Sequence, residues 1–192
     1  RVVAALDAPV FGLVGHSWGG AIALLGGRRI ACDRVIAIDP MIRQPAGSWN
    51  ADYVDGLRAV LAAPEHDRTR LIRDLYAPLP PVEIDAKVHA MHAMSVDPIV
   101  ALGAENAADA GGWDLRESVR AYPKPLYLPI ADPADSVVSA GDLAFVRDHG
   151  GPRIEVEVYA GEGHSLQRTA FEKFAAHAER FLRACSGFLA AG

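Results

Sequence analysis

The chain has 192 residues, 51% of them hydrophobic, with 24 acidic against 19 basic side chains and a formal net charge of −5. That length supports one sizeable core with room for an inserted subdomain. The mild acidity and the lack of a basic run argue against nucleic acid as a partner, and no apolar stretch is long enough to span a bilayer.

Residues 1–7 read as the tail of a helix stopped by Pro9. Residues 10–14 (Val-Phe-Gly-Leu-Val) form a short, continuously apolar run, as expected of a parallel strand buried on both faces. Gly15-His16-Ser17-Trp18-Gly19-Gly20 follows, and then an apolar helical run to Arg29. Gly-x-Ser-x-Gly between a strand and a helix is the pattern of a nucleophile elbow, in which the serine sits on a sharp, strained turn. Gly15 and Gly19 are expected to let the flanking backbones approach. Ser17 then stands at a helix N-terminus, where unpaired amides and the helix dipole favour developing negative charge. The Trp18 N–H is the expected oxyanion donor. The first reading is therefore serine-based acyl transfer.

Residues 34–38 (Arg-Val-Ile-Ala-Ile) read as a second buried strand, ending at Asp39-Pro40, and close a βαβ unit with the first. Strand patterns then disappear. Residues 53–62, 66–76 and 84–94 look helical and are broken by Pro64 and the prolines at 78–81, with Gly111-Gly112 ending the stretch. It is too apolar for a linker and reads as a helical insertion. Residues 125–130 restore a strand, despite a proline that is awkward in a central one. Residues 139–149 form a helix capped by Ser139 and closed by Gly150-Gly151. Residues 153–159 alternate apolar residues with Glu, as a strand with one wetter face does. Residues 169–184 close the fold as a helix, with Phe171, Phe174, Ala178, Phe181 and Leu182 at helical spacing.

An activated serine needs a base and an acid to orient that base. Two later loops at strand carboxyl ends supply them: Asp132-Pro133-Ala134-Asp135-Ser136-Val137-Val138 and Gly161-Glu162-Gly163-His164. Asp132 is the alternative acid or a cap of its own loop. Asp39, at the end of the second strand, is a further alternative or a turn cap.

These segments resemble the α/β-hydrolase superfamily. The elbow, Asp135-Ser136-Val137-Val138 and Gly163-His164 occur in the family's order. The resemblance implies an α/β fold: the C-terminal part of a mostly parallel sheet flanked by helices, with an inserted helical cap. Core segments at 1–43 and 115–192 flank a cap at 44–114. It further implies Ser17 as nucleophile, His164 as general base and then acid, and Asp135 as the orienting carboxylate. Family members carry strands and a first oxyanion donor upstream of the elbow. By that analogy this chain is expected to be a fragment of a longer protein, with its elbow strand exposed as an edge.

His16 is expected to pack beside the elbow, Trp18 to line an acyl pocket or join the core, and Trp49 and Trp113 to anchor the insertion. His89 and His92 have no partner of convincing spacing, so no metal and no cofactor is expected; Met91 and Met94 fit an apolar pocket or the core. Cys32 and Cys185 lack a metal-type or CxxC partner and read as free thiols. The expected partner is a small acyl substrate, with neither nucleic acid nor membrane, in a cytoplasmic protein. The leading function is a serine hydrolase acting on an ester, lactone or related acyl compound. Carbon–carbon bond hydrolase, cofactor-free haloperoxidase and aminopeptidase chemistry use the same triad in this superfamily. Two readings of another class are a ligand-binding protein without turnover and a dinucleotide-binding oxidoreductase. The glycine spacing Gly12, Gly15, Gly19 does not fit the dinucleotide fingerprint.

Overall fold

The computed structural model describes residues 10–48, 51–77, 79–107 and 111–184. The expectations for residues 1–7, Trp49 and Cys185 lie outside them. In chain order the elements are β1 (Gly12–His16), α1 (Trp18–Gly27), β2 (Arg34–Ile38), the two-residue β3 (Arg43–Gln44), α2 (Ala51–Ala62), α3 (Glu65–Leu75), α4 (Pro81–His92), α5 (Asp97–Ala107), the two-residue β4 (Trp113–Asp114), α6 (Arg116–Arg120), β5 (Leu126–Ala131), α7 (Ala140–His149), β6 (Ile154–Tyr159), α8 (Leu166–Thr169) and α9 (Phe171–Arg183). Two compact units result: Arg1–Arg43 with Trp113–Gly192, and Gln44–Gly112.

The first unit is built on a parallel sheet in the order β1-β2-β5-β6. The apolar runs dictate this. Every residue of β2 and β5 is buried, as continuous apolar strands require when both faces are covered. Side chains alternate between the faces. Val35, Ala37, Leu126, Leu128 and Ile130 join Leu24, Val119, Leu143 and Val146 on the α1, α6 and α7 side. Ile36, Ile38, Tyr127 and Ala131 join Leu166, Ala178 and Phe181 on the α8 and α9 side. Each Val, Leu or Ile side chain so buried contributes about 1.5–3 kcal/mol relative to exposure. Strand β1 lies at one end of the described sheet, and Val14 on it is 57% exposed.

Pro129 does occupy an internal strand, and the cost is local. Leu126 donates its N–H to Arg153 on the β6 side, so by alternation the N–H of residues 127, 129 and 131 faces β2. The donor that proline lacks therefore falls between β5 and β2, where the paired register runs only from Val35↔Leu126 to Ile36↔Tyr127. Asp39 closes the gap: its N–H donates to the Pro129 carbonyl (2.8 Å), and its carboxylate accepts from Ala131 N–H (3.2 Å).

Helix α7 is capped as the sequence predicts, with Asp142 N–H donating to Ser139 Oγ (3.1 Å). The final helix forms as α9 (Phe171–Arg183), preceded by the short α8, and Phe171 at its start is 58% exposed rather than part of its apolar face. The second unit consists of α2 to α5 around Leu57, Ile72 and Met91. Met91 is thus core, whereas His89 and His92 are exposed and His92 bonds Thr69 Oγ1. No helix among the described residues is long and apolar enough to cross a membrane.

Candidate active site

Ser17 has φ 59° and ψ −121°, a conformation that L-residues rarely adopt and that costs about 1–3 kcal/mol. Its backbone is held there by four hydrogen bonds. Ser17 N–H continues the sheet ladder to the Ile38 carbonyl (2.9 Å), and Ser17 O accepts from Gly20 (3.0 Å), Ala21 (3.2 Å) and Met41 (3.1 Å). A Cβ on Gly15 would lie 2.1 Å from the Gly19 oxygen, and one on Gly20 would lie 2.8 Å from Pro40 Cβ. Gly19 itself has nothing within 4 Å of such a Cβ. The glycines that the tight turn requires are therefore Gly15 and Gly20, a correction to the expected pair. Helix α1 starts at Trp18, so the first-turn amides at Trp18 and Gly19 have no acceptor within the helix. The Trp18 side chain packs on the core.

The carboxylate that meets His164 is Asp39. His164 Nδ1 lies 2.6 Å from Asp39 Oδ2. Asp39 is fully buried, with φ 37°, directly after β2. Its Oδ1 accepts from Ser136 Oγ (2.5 Å) and Ala131 N–H, and its Oδ2 also accepts from Val137 N–H (3.1 Å). Burial alone would push this carboxyl up. The bonds from His164, Ser136, Val137 and Ala131 outweigh burial and hold Asp39 below the ordinary carboxylate range. A carboxylate can only accept here, so His164 carries its proton on Nδ1 and leaves the Nε2 lone pair free.

Asp135, the expected orienting carboxylate, is exposed, and among the described residues its side chain makes no hydrogen bond or ion pair. Its N–H and that of Ser136 turn back onto the Asp132 carbonyl (2.9 and 2.8 Å), and it is Ser136, the next residue, whose side chain reaches Asp39. Asp132 caps loops. Its Oδ2 accepts from Gly161 N–H (2.8 Å) and its Oδ1 from Ala134 N–H (3.0 Å), and these bonds lower its pKa. Asp132 N–H donates to the Glu162 carbonyl (2.8 Å), so one residue ties the acid loop to the histidine loop.

Register explains the convergence. His16 pairs with Ile38 across β1 and β2, so Ser17 and Asp39 emerge side by side at the strand carboxyl ends. His164 arrives from the loop after β6 onto Asp39, with its side chain 31% exposed. No hydrogen bond joins Ser17 to His164 among the described residues. His16 Nε2 donates to the His164 carbonyl (2.8 Å), and the two rings lie 4.4 Å apart. Burial holds His16 below the ordinary histidine pKa, against the raising effect of that bond, and the nearby His164 and Arg168 add to the lowering. Where the core resumes after Gly112, Trp113 Nε1–H donates to the Met41 carbonyl (2.9 Å), tying together the two core segments that flank the insertion. Such a set can orient an imidazole toward a serine at a helix N-terminus, the arrangement that acyl transfer uses.

The family model described as the alpha/beta hydrolase family matches residues 1–177. No curated protein matches the chain. Among solved structures, an N-formylmaleamic acid deformylase of Pseudomonas putida S16 is 18% identical, covering 87% of this chain and 65% of its own, at TM-score 0.67. An esterase of Exiguobacterium antarcticum is 17% identical over 95% of this chain and 70% of its own, at TM-score 0.63. A meta-cleavage product hydrolase of Pseudomonas fluorescens IP01 is 17% identical over 95% and 68%, at TM-score 0.60. The chain thus spans about two thirds of the length of these structures.

Proposed function

The chain belongs to the alpha/beta hydrolase family, and we propose that it acts as a serine hydrolase on a small acyl substrate, with Ser17, His164 and Asp39 as its triad. The observation that carries this reading is the meeting of His164 Nδ1 with the buried Asp39 carboxylate, beside a serine held at positive φ. Asp39 takes the orienting role in place of Asp135. It fixes the Nδ1–H tautomer and stabilises the imidazolium that forms when His164 Nε2 takes the Ser17 proton. The Ser17 oxygen attacks the acyl carbon, and the Trp18 N–H stabilises the resulting oxyanion. His164 then protonates the leaving group, and water activated by the same imidazole releases the acid.

An ester or lactone is the substrate class we favour. The hydrolases of similar fold carry names from esterase to deformylase, which supports hydrolysis in common and leaves the bond to this chain's own site. The test is turnover of short-chain p-nitrophenyl esters by the full protein, with Ser17→Ala as control. Pre-steady-state release of one equivalent of nitrophenol, absent from the variant, supports the acyl-enzyme; turnover that survives Ser17→Ala contradicts it.

A further inference from the structure

The triad reading leaves one short contact unused. His16 is the last residue of β1, next to Ser17, and its ring reaches the histidine loop 148 positions along the chain, where Nε2 donates to the main-chain oxygen of His164 itself. The rings of His16 and His164 lie at 4.4 Å with a 39° tilt, so contact and hydrogen bond together restrain both the loop and its side chain. We propose that His16 is a positioning residue that sets how far His164 reaches from Asp39 toward Ser17.

Three features support this assignment, which rests on the Ser17–His164–Asp39 reading. First, the bond runs to the main chain of the base, so it fixes the origin of the His164 side chain while Asp39 fixes its far end. Two such restraints define a ring; one alone leaves it free to swing. Second, β1 is itself in register with β2, His16 opposite Ile38, so the strand carrying the nucleophile, the strand carrying the acid and the loop carrying the base are joined through one side chain. Third, the charged and titratable groups around His16 are His164, Asp39 and Arg168; burial, with His164 and Arg168 adding to it, disfavours its protonation against the raising effect of the carbonyl bond and of Asp39. A neutral His16 keeps its Nε2–H for the carbonyl and places no charge beside the imidazolium that forms on His164 during acyl transfer. The ties from Asp132 to Gly161 and Glu162 lie earlier in the loop and do not touch His164.

The test compares His16→Phe, which keeps a ring and removes the donor, with His16→Gln, which returns an N–H at similar reach. Both are made in the full protein and checked for folding by circular dichroism. We expect His16→Phe to lose kcat on a p-nitrophenyl ester by about tenfold or more, the equivalent of one hydrogen bond, with KM within about twofold. Its rate of Ser17 labelling by a fluorophosphonate should fall in parallel, amide exchange of residues 161–166 should speed up, and His16→Gln should recover most of each. Unchanged kcat and loop exchange in folded His16→Phe overturns the proposal, as does an equal loss in both variants. If His16→Phe does not fold, a folded His16→Gln decides alone: near-normal kcat supports the role and a tenfold loss overturns it. If the wild-type protein takes no label, the serine reading fails at its own step. The exchange comparison still reports whether His16 holds the loop.

Discussion

Replacing Asp39 by Asn tests which carboxylate serves His164. The amide keeps the shape of the carboxylate but turns one acceptor into a donor. With its nitrogen at the Oδ2 position, Val137 N–H loses its acceptor, and His164 must present a lone pair at Nδ1, which puts its proton on Nε2 and removes the base. With the nitrogen at Oδ1, His164 keeps its tautomer but Ala131 N–H is orphaned. Orphaning the buried Ala131 N–H costs about 1–3 kcal/mol, whereas Val137 is exposed and its N–H can turn to water at a smaller cost. The charge that stabilises the imidazolium is lost as well. We expect kcat/KM to fall by about 10²–10⁴-fold, toward the larger value if the wrong tautomer prevails. The exposed Asp135 is the control: Asp135→Asn should leave kcat/KM within about twofold and stability within about 0.5 kcal/mol. The assay is ester hydrolysis by both variants, with urea unfolding for stability. Near-normal activity in Asp39→Asn together with loss in Asp135→Asn would refute the assignment.

Three shorter predictions follow from the same geometry. Gly15→Ala drives a Cβ into the Gly19 carbonyl and should destabilise by about 2 kcal/mol or more while abolishing activity, whereas Gly19→Ala, in open space at the start of α1, should be tolerated within about 1 kcal/mol; thermal melts distinguish them. Ser17→Gly releases the positive-φ strain and, after the entropy cost of glycine, should be more stable by about 1 kcal/mol though inactive; chemical denaturation measures it. Because the folded state lowers the Asp39 pKa, the stability it contributes is complete above the ordinary value of 3.8 and is lost as pH falls through the folded value. Urea midpoints recorded on acidification should therefore fall less steeply in Asp39→Asn than in the wild type.

How much of this is legible in the sequence varies with the reach of each interaction. Strand β2 is readable because five consecutive residues must be buried on both faces, and the elbow because Gly15, Ser17 and the flanking apolar runs are local. His164 follows from its Gly-His turn after an alternating strand. The acid is different. Asp135 and Asp39 both stand at strand carboxyl ends, and the resemblance of Asp135-Ser136-Val137-Val138 to the family's acid loop favours Asp135. What decides between them is burial and the four donors converging from residues 131, 136, 137 and 164 on Asp39, all of them more than 90 positions away in sequence. A signal is nonetheless present, since Asp39 directly follows a fully buried strand whose neighbour bears Ser17, and Pro129 withholds a ladder donor beside it. The tie made by His16 is hidden for the same reason: its partner lies 148 residues away. The exchange of Gly19 for Gly20 depends on the entry angle of α1 against Pro40, which no local pattern encodes. Helices α5 and α6 carry little periodic signal, because the middle of one, residues 99–104, is an unbroken apolar run and the other is only five residues long.

The most direct test of the central claim, an activated Ser17, is covalent labelling of the full protein with a fluorescent fluorophosphonate, followed by mapping of the modified peptide. Label on Ser17, lost in Ser17→Ala and strongly slowed in Asp39→Asn, is the predicted result. A folded wild-type protein that takes no label, or takes it at another residue, would contradict the account.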